Sequence, residues 1–322
     1  MIGGRRLPGI RNPEGGIALI IVLLVLSLLL AVVGEFALAM RLEGTTTLNF
    51  RAAVTASYLA EAAYQRALAE ILPDAIAHHR DEAGLLVFRR SRTESPKSPR
   101  RDLALGPGRV SYKITDEEAR LNLNRATPDQ LHRLLTELGV EREARDVIVD
   151  SIQDWRDPNE EHRLNGAESD FYLALPVPYK SKNADFDSVE ELLQVRGVTR
   201  EIFYGTPDKP GLVEYLTVSG SGAVNVNTAS DGVLRTLGFA QAEVDLLRQD
   251  RPYLDPASVP SNLRRPGQSV RSTTFRIEAS GEVPGQGRRT LRAIVRKQAG
   301  RDGVARAIAL GWRWAQDEDA RP

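Results

Sequence analysis

Gly15-Gly16-Ile17-Ala18-Leu19-Ile20-Ile21-Val22-Leu23-Leu24-Val25-Leu26-Ser27-Leu28-Leu29-Leu30-Ala31-Val32-Val33 carries no charge and is broken only at Glu35. The segment from Ile17 to Met40 is long enough to span a bilayer, because about 20 apolar residues at 1.5 Å rise cover a ~30 Å hydrocarbon layer. Arg5, Arg6 and Arg11 precede it and few basic residues follow directly, which predicts a cytoplasmic N-terminus with the rest of the chain across the membrane. An ordinary secretory signal places its small-residue cleavage site after the apolar core and so loses the core on processing. Here the small-residue junction, Gly15-Gly16, lies before the core, and cutting there retains it.

That order resembles the type III signal of the type IV pilin and type II secretion pseudopilin superfamily. The resemblance implies cleavage after Gly16 by a prepilin peptidase and methylation of Ile17 as the new N-terminus. It also singles out Ile21, the fifth mature residue, where ordinary pilins carry glutamate.

The helical pattern continues beyond the membrane. No proline interrupts residues 36–72, and Leu48, Ala52, Leu59, Ala62, Ala63 and Leu68 recur near helical spacing, so one long helix is predicted to end at Pro73. A polar stretch rich in proline and arginine, 89–101, reads as a loop. Strand patterning appears in two distant places. Val110, Tyr112 and Ile114 alternate in the first; in the second, 273–279 and 289–296 alternate around the turn signal Pro284-Gly285-Gln286-Gly287 and predict a hairpin. Ile308, Leu310, Trp312 and Trp314 form a last period-two stripe, expected to pack in the core.

Between these strands, residues 116–268 are helix-rich, with helical runs at 129–138, 142–154, 188–195 and 240–248. The simplest topology inserts a helical domain into a helix-plus-antiparallel-sheet domain. The insertion holds a repeat: Leu121-Asn122-Leu123-Asn124-Arg125-Ala126-Thr127 and Val224-Asn225-Val226-Asn227-Thr228-Ala229-Ser230 each lead into a helix. Thr127 and Ser230 suit N-caps, Pro128 suits the first helical position, and the two copies are expected to pack on each other to form one helical core.

Composition excludes several chemistries. Lys plus Arg and Asp plus Glu both total 43 in 322 residues, so no global field steers the chain to nucleic acid. Cysteine is absent, which removes disulfides and thiolate ligands. Four histidines without metal-ligand spacing argue against a His-type zinc site. No Gly-x-Ser-x-Gly elbow is present, and His132 and His162 read as surface residues, so no enzyme activity is expected. A second reading, a membrane-anchored periplasmic DNA-binding protein, comes from the likeness of the 224–230 repeat to the lead-in of helix-hairpin-helix modules. The hairpin candidates weaken it: Arg196-Gly197-Val198-Thr199 lacks a second glycine, and Leu138-Gly139-Val140-Glu141 places an acid there.

Asp150-Ser151-Ile152-Gln153-Asp154-Trp155-Arg156-Asp157-Pro158-Asn159, followed by Arg163-Leu164-Asn165-Gly166-Ala167-Glu168, and Phe186-Asp187-Ser188-Val189-Glu190-Glu191-Leu192-Leu193 complete the pattern. With the leader and the Asn-x-Asn repeats, they resemble the minor pseudopilin K family of type II secretion systems. The resemblance covers nearly the whole chain. It implies an α+β fold, a pilin-like long N-terminal helix packed on an antiparallel sheet with a large inserted all-helical domain. It divides the chain into a leader (1–16), the membrane part of the helix (17–40), a first pilin-like part (41–115), the insertion (116–268) and C-terminal strands (269–322). It also implies a non-enzymatic subunit of the bacterial inner membrane, with the bulk of the chain in the periplasm. That subunit would cap the tip of a pseudopilus that exports folded proteins. Its partners would be the I- and J-type minor pseudopilins, the major pseudopilin and the prepilin peptidase, with no nucleic acid.

Asp154, Asp157, Asn159 and Glu168 bring hard oxygens into one short, loop-rich window of the kind calcium takes. Asp150, Glu160, Glu161 and Asp170 are alternative ligands. The residues alone leave two readings open: a bound calcium, or a turn whose acids are neutralised by Arg156 and Arg163. The family resemblance favours calcium.

Overall fold

A computed structural model describes residues 14–81, 83–91 and 99–315. Most of the expected leader, residues 1–13, lies outside these, as do 92–98 of the polar stretch and 316–322 of the C-terminal region.

The first helix, α1, runs Glu14–Ile71 without a break. Its two halves meet different surroundings. Apolar side chains from Ile17 to Met40 stand exposed in the isolated chain, as a lipid-facing segment must. From Ala52 onward one face is buried, with Ala56, Ala60, Ala63 and Ala67 at 0% exposure. Their spacing puts small side chains on one stripe, which lets the helix lie close to the sheet. Gly281 completes that approach: a Cβ there would run into the Ala56 carbonyl, the Ala60 amide and Leu59.

After α1 come a short hairpin, β1 (Ala77–Arg80) with β2 (Leu86–Arg89), then β3 (Leu103–Leu105) and β4 (Gly108–Asp116). The chain returns far downstream as β5 (Thr274–Val283), β6 (Gly287–Ala299) and β7 (Ala305–Trp314). These make one antiparallel sheet in the order β7-β6-β5-β4-β3. Val110, Tyr112 and Ile114 of β4 and Phe275, Ile277 and Ala279 of β5 face α1 and form the first core. The short β1–β2 hairpin adds Leu86 and Phe88 to it, and His78 makes edge contacts with Phe88 and Phe275.

The last stripe departs from expectation. Trp314 packs against the core, but Ile308, Leu310 and Trp312 are 46%, 42% and 64% exposed. Two causes act together. Strand β7 is the sheet edge, and a bulge shifts its register so that Val295 faces Ala309 while Ile294 faces Gly311. Leu310 is the extra residue, and the period-two pattern breaks there.

Strand β4 ends where the insertion begins, and β5 starts where it returns. The insertion contains α2 (Pro128–Glu137), α3 (Arg142–Arg156), α4 (Ser169–Leu173), α5 (Arg200–Tyr204), α6 (Leu212–Tyr215), α7 (Asp231–Thr236) and α8 (Gln241–Gln249). The run at 188–195 forms a 3-10 helix, Val189–Gln194. Two-residue strand pairs tie the helices together, Leu121–Asn122 with Leu216–Thr217 and Val224–Asn225 with Gln268–Ser269, both parallel. Thr127 caps α2 through a capping box with Gln130, and Pro128 opens the helix; Ser230 makes no side-chain cap hydrogen bond.

The two Asn-x-Asn copies lead into helices that do pack on each other, α2 beside α7, but the single shared core expected from the sequence does not form. Leu121 and Leu123 belong to a cluster with Ile152, Trp155 and Tyr172, whereas Val224 and Val226 belong to another with Val233, Val244 and Tyr253. The halves meet where α2 lies beside α7, through polar links: Arg235 pairs with Glu137 at 2.7 Å, and Arg133 donates to the Thr236 carbonyl at 2.9 Å. The repeat builds the same device twice. Asn124 donates to the Phe186 carbonyl (2.9 Å) and accepts from its amide (2.8 Å); Asn227 does the same to Tyr253 (2.9 and 2.8 Å). Each asparagine thus satisfies the backbone of an aromatic residue that its own core buries.

Candidate ligand loop and processing junction

The insertion is joined to the sheet by three consecutive acids, Asp116, Glu117 and Glu118, all buried. Asp116 accepts from Ser272 Oγ (2.6 Å), Thr228 Oγ1 (2.5 Å), Asn225 Nδ2 (3.1 Å) and the Glu118 amide (2.8 Å). Burial, partly offset by these donors, pushes its carboxyl up to about 6. Glu117 meets Arg276 at 2.6 Å and accepts from Thr217 Oγ1 at 2.5 Å. Glu118 accepts from Thr273 Oγ1 at 2.9 Å. The side-chain donors come from the second half of the insertion and from the chain as it returns to the sheet, so the joint ties the insertion's start to its end.

The acid-rich window lies between α3 and α4. Asp154, on the last turn of α3, is fully buried, and Glu168, immediately before α4, is 1% exposed. Arg163 reaches back between the acids, donating to Asp154 Oδ1 (2.7 Å) and Asp157 Oδ2 (2.6 Å), while its amide donates to Asp154 Oδ2 (3.2 Å). Arg156 points elsewhere, to the carbonyls of Leu123 and Ala126. Asn159 is exposed and closes the turn instead, donating to Asp157 Oδ1 at 2.8 Å and accepting from the Glu161 amide at 2.7 Å.

Glu168 is the exception in this window. One of its oxygens accepts from Ser181 Oγ at 3.2 Å; the other, Oε1, is buried with no partner. Burial, with the charges of Asp154, Asp157 and Glu160, pushes its carboxyl up to about 7. Gly166 leaves room for Asp154, since a Cβ there would collide with Asp154 Oδ2. Three of the alternatives are engaged, with Asp150 accepting from Asn165, Glu160 from Ser169 and Asn183, and Asp170 pairing with His162 at 2.9 Å, while Glu161 is exposed. Among the described residues, no group of three or more His, Asp or Glu side chains converges as a preformed metal cluster. The structure brings Asp154, Asp157 and Glu168 into one neighbourhood and sets Asn159 apart at the turn.

At the other candidate site, Gly16, Ile17 and Ile21 all lie on α1, with Ile17 and Ile21 61% and 56% exposed. The helix-hairpin-helix likeness also takes form. The α2–α3 turn and the α7–α8 turn, Leu237-Gly238-Phe239-Ala240, are both helical hairpins, the second not singled out by sequence. Their glycine amides serve the preceding helices: Gly139 donates to the Thr136 carbonyl and Gly238 to the Arg235 carbonyl. They are therefore occupied as caps.

A long helix whose second half lies on an antiparallel sheet, with a helix-rich insertion between adjacent strands, defines a pilin-like subunit, and among the described residues one helix is long and apolar enough to cross a membrane. The sequence model described as type II secretion system (T2SS), protein K, matches residues 113–205. A type II secretion system protein K from Klebsiella pneumoniae is 28% identical over 95% of this chain and 99% of its own length. The putative protein K of Escherichia coli K12 is 27% identical, covering 75% of this chain and 76% of that relative. The match to protein K of Pectobacterium carotovorum, also 27% identical, spans about half of that relative, 52%, and 47% of this chain. The fold is similar to a chain in the crystal structure of the GspK-GspI-GspJ complex from enterotoxigenic Escherichia coli. There the TM-score is 0.56 at 20% identity, over 68% of this chain and 84% of that one. Over nearly its whole length the chain is thus similar to type II secretion system protein K.

Proposed function

We propose that this protein is the non-enzymatic cap of a periplasmic pseudopilus, present once at its tip above I- and J-type minor pseudopilins, and that it supports export of folded proteins across the outer membrane. The observation that carries the reading is the pairing of an uninterrupted apolar α1 lacking the usual glutamate with a bulky insertion between β4 and β5. In ordinary pilins a glutamate at the fifth mature position offsets the N-terminal ammonium of a neighbouring subunit. Here that position is Ile21, and Glu35 lies ~21 Å further along the helix, too far to replace it. An ammonium left unpaired in a low-dielectric bundle is costly, on the order of several kcal/mol. Such a subunit fits the end of the filament, where no further neighbour must dock, and the insertion adds bulk against one.

Maturation by prepilin peptidase after Gly16, with methylation of Ile17, belongs to the same reading. So does an inner-membrane anchor at 17–40. Intact mass of the membrane-extracted protein tests it: loss of Met1–Gly16 with one added methyl group is expected. Retention of the leader, or loss of the whole apolar run, would remove the pilin-type reading.

The acid-rich window is read as a calcium site. Asp154, Asp157 and Glu168 would hold the cation, which would offset their mutual repulsion and give the buried Glu168 Oε1 a partner. Arg163 does the first of these jobs in part, and nothing in the window does the second.

A further inference from the structure

The outer face of the sheet, turned away from α1, is not bare. It meets the insertion across a cavity of about 360 Å³, lined on the sheet side by Arg276, Arg292, Ile294, Trp312 and Arg313 and on the insertion side by Arg120, among others. The strand register explains the concentration of charge. Lys113, Glu278, Arg292 and Arg313 sit side by side across β4, β5, β6 and β7. Glu278 pairs with Arg292 at 3.0 Å, and Glu117 takes Arg276 at 2.6 Å and Arg120 at 3.9 Å. Arg313 stands directly opposite Arg292, a like-charge pair that disfavours the sheet, and it has no acidic partner among the described residues. Glu190 and Asp187 line the far rim, and Asp187 is held by Lys182 at 2.7 Å.

The cavity opens at the free edge of the sheet. No described strand lies beyond β7, and its exposed Ile308, Leu310 and Trp312 are apolar. An edge strand of this length is a template for another strand, and natural proteins usually blunt such edges with charge or proline. Here the charge sits only near the two ends, at Arg306, which pairs with Asp302 at 2.7 Å, and at Arg313 beside a half-apolar cleft.

The geometry points to β7 and this cleft as a docking site for an extended segment of a second polypeptide whose carboxylates alternate with apolar side chains. The backbone of that segment pairs along β7, an apolar side chain covers Trp312, and a carboxylate reaches Arg313. Arginine suits this role because its planar fork meets a carboxylate through two parallel hydrogen bonds. From the proposed function the inference takes only that the protein assembles with other chains.

The test uses full-length protein in detergent micelles and a fluorescein-labelled synthetic peptide of alternating valine and glutamate, followed by fluorescence anisotropy. Saturable binding is expected, weakened by high salt and weaker by about tenfold or more for the glutamine analogue, since the contact is charge-assisted. Arg313→Glu should lower affinity for the glutamate peptide by about tenfold and favour the lysine analogue, reversing the preference rather than merely losing it. Absent binding, equal binding of the glutamate and glutamine peptides, or an Arg313→Glu protein that behaves as wild type would each overturn the proposal. Binding that appears only in a chain ending at Ala315 would assign the cleft to the protein's own Asp317, Glu318 and Asp319 and overturn the partner assignment. Co-purification with I- and J-type pseudopilins, measured on the same variant, reports separately on the assembly reading.

Discussion

Asp116, Glu117 and Glu118, at the root of the insertion, and Asp154, Asp157 and Glu168, within it, both place carboxylates where water is scarce, yet the chain treats them differently. At the root each acid meets donors from the chain itself: hydroxyls of Ser272, Thr228, Thr217 and Thr273, the Asn225 amide and the Arg276 guanidinium. In the window, Arg163 serves Asp154 and Asp157, while Glu168 keeps one buried oxygen with no partner. A buried polar atom without a partner costs roughly 1–3 kcal/mol, more when charged. Acids that their own chain satisfies form a joint; acids that it leaves short invite a ligand.

The largest effect should come from breaking the joint. Asp116→Ala leaves two hydroxyls and an amide without their shared acceptor, and should lower unfolding stability by about 3 kcal/mol or more. The loss, read by denaturant melts, should be the same with and without calcium. A loss that calcium repairs would merge the two regions and end the contrast.

Calcium should act on the window alone. At a hundredfold excess over Kd, binding to the folded state stabilises by about 2.7 kcal/mol. The melting temperature should rise on calcium addition after EDTA treatment, and Glu168→Gln and Asp157→Ala should each lose the rise. An unchanged melting temperature in wild type would remove calcium from the account and leave Arg163 as the neutralising group.

A smaller effect separates the regions by pH. Glu168 has a folded pKa near 7, above its ordinary value, so the folded state binds the proton more tightly than the unfolded state does. Stability from that protonated form is present at low pH and is lost as pH rises through 7. Asp116 behaves likewise but is largely ionised above about 6, so the slope between pH 6 and 7 belongs mainly to Glu168. In EDTA-treated protein, stability should fall by about 1 kcal/mol across that interval. Glu168→Gln should flatten it; an equal slope in the variant would mean that another group titrates there.

Much of the fold was legible because periodicity and burial coincide in it. The 3.6-residue pattern after the membrane run and the alternation at Val110, Tyr112 and Ile114 each report a single buried face. What escaped was decided by tertiary contacts. Asp116-Glu117-Glu118 reads as a solvated loop and is buried, because its donors arrive from residues 217–276, far away in sequence. The Asn-x-Asn motif was visible, but its role as a clamp on Phe186 and Tyr253 depends on segments that no local pattern links. The Trp312 stripe misled because one bulge inverts the faces of an edge strand. In the ligand window the residue types were legible, whereas the turn of Asn159 away from Glu168 and the reach of Arg163 follow from loop geometry.

The tip position is tested most directly by immunogold labelling of this protein on overproduced pseudopili. The account predicts label at one end of each filament and none along the shaft, with Ile21→Glu extending label into the shaft. Wild-type label distributed along the filament would contradict it.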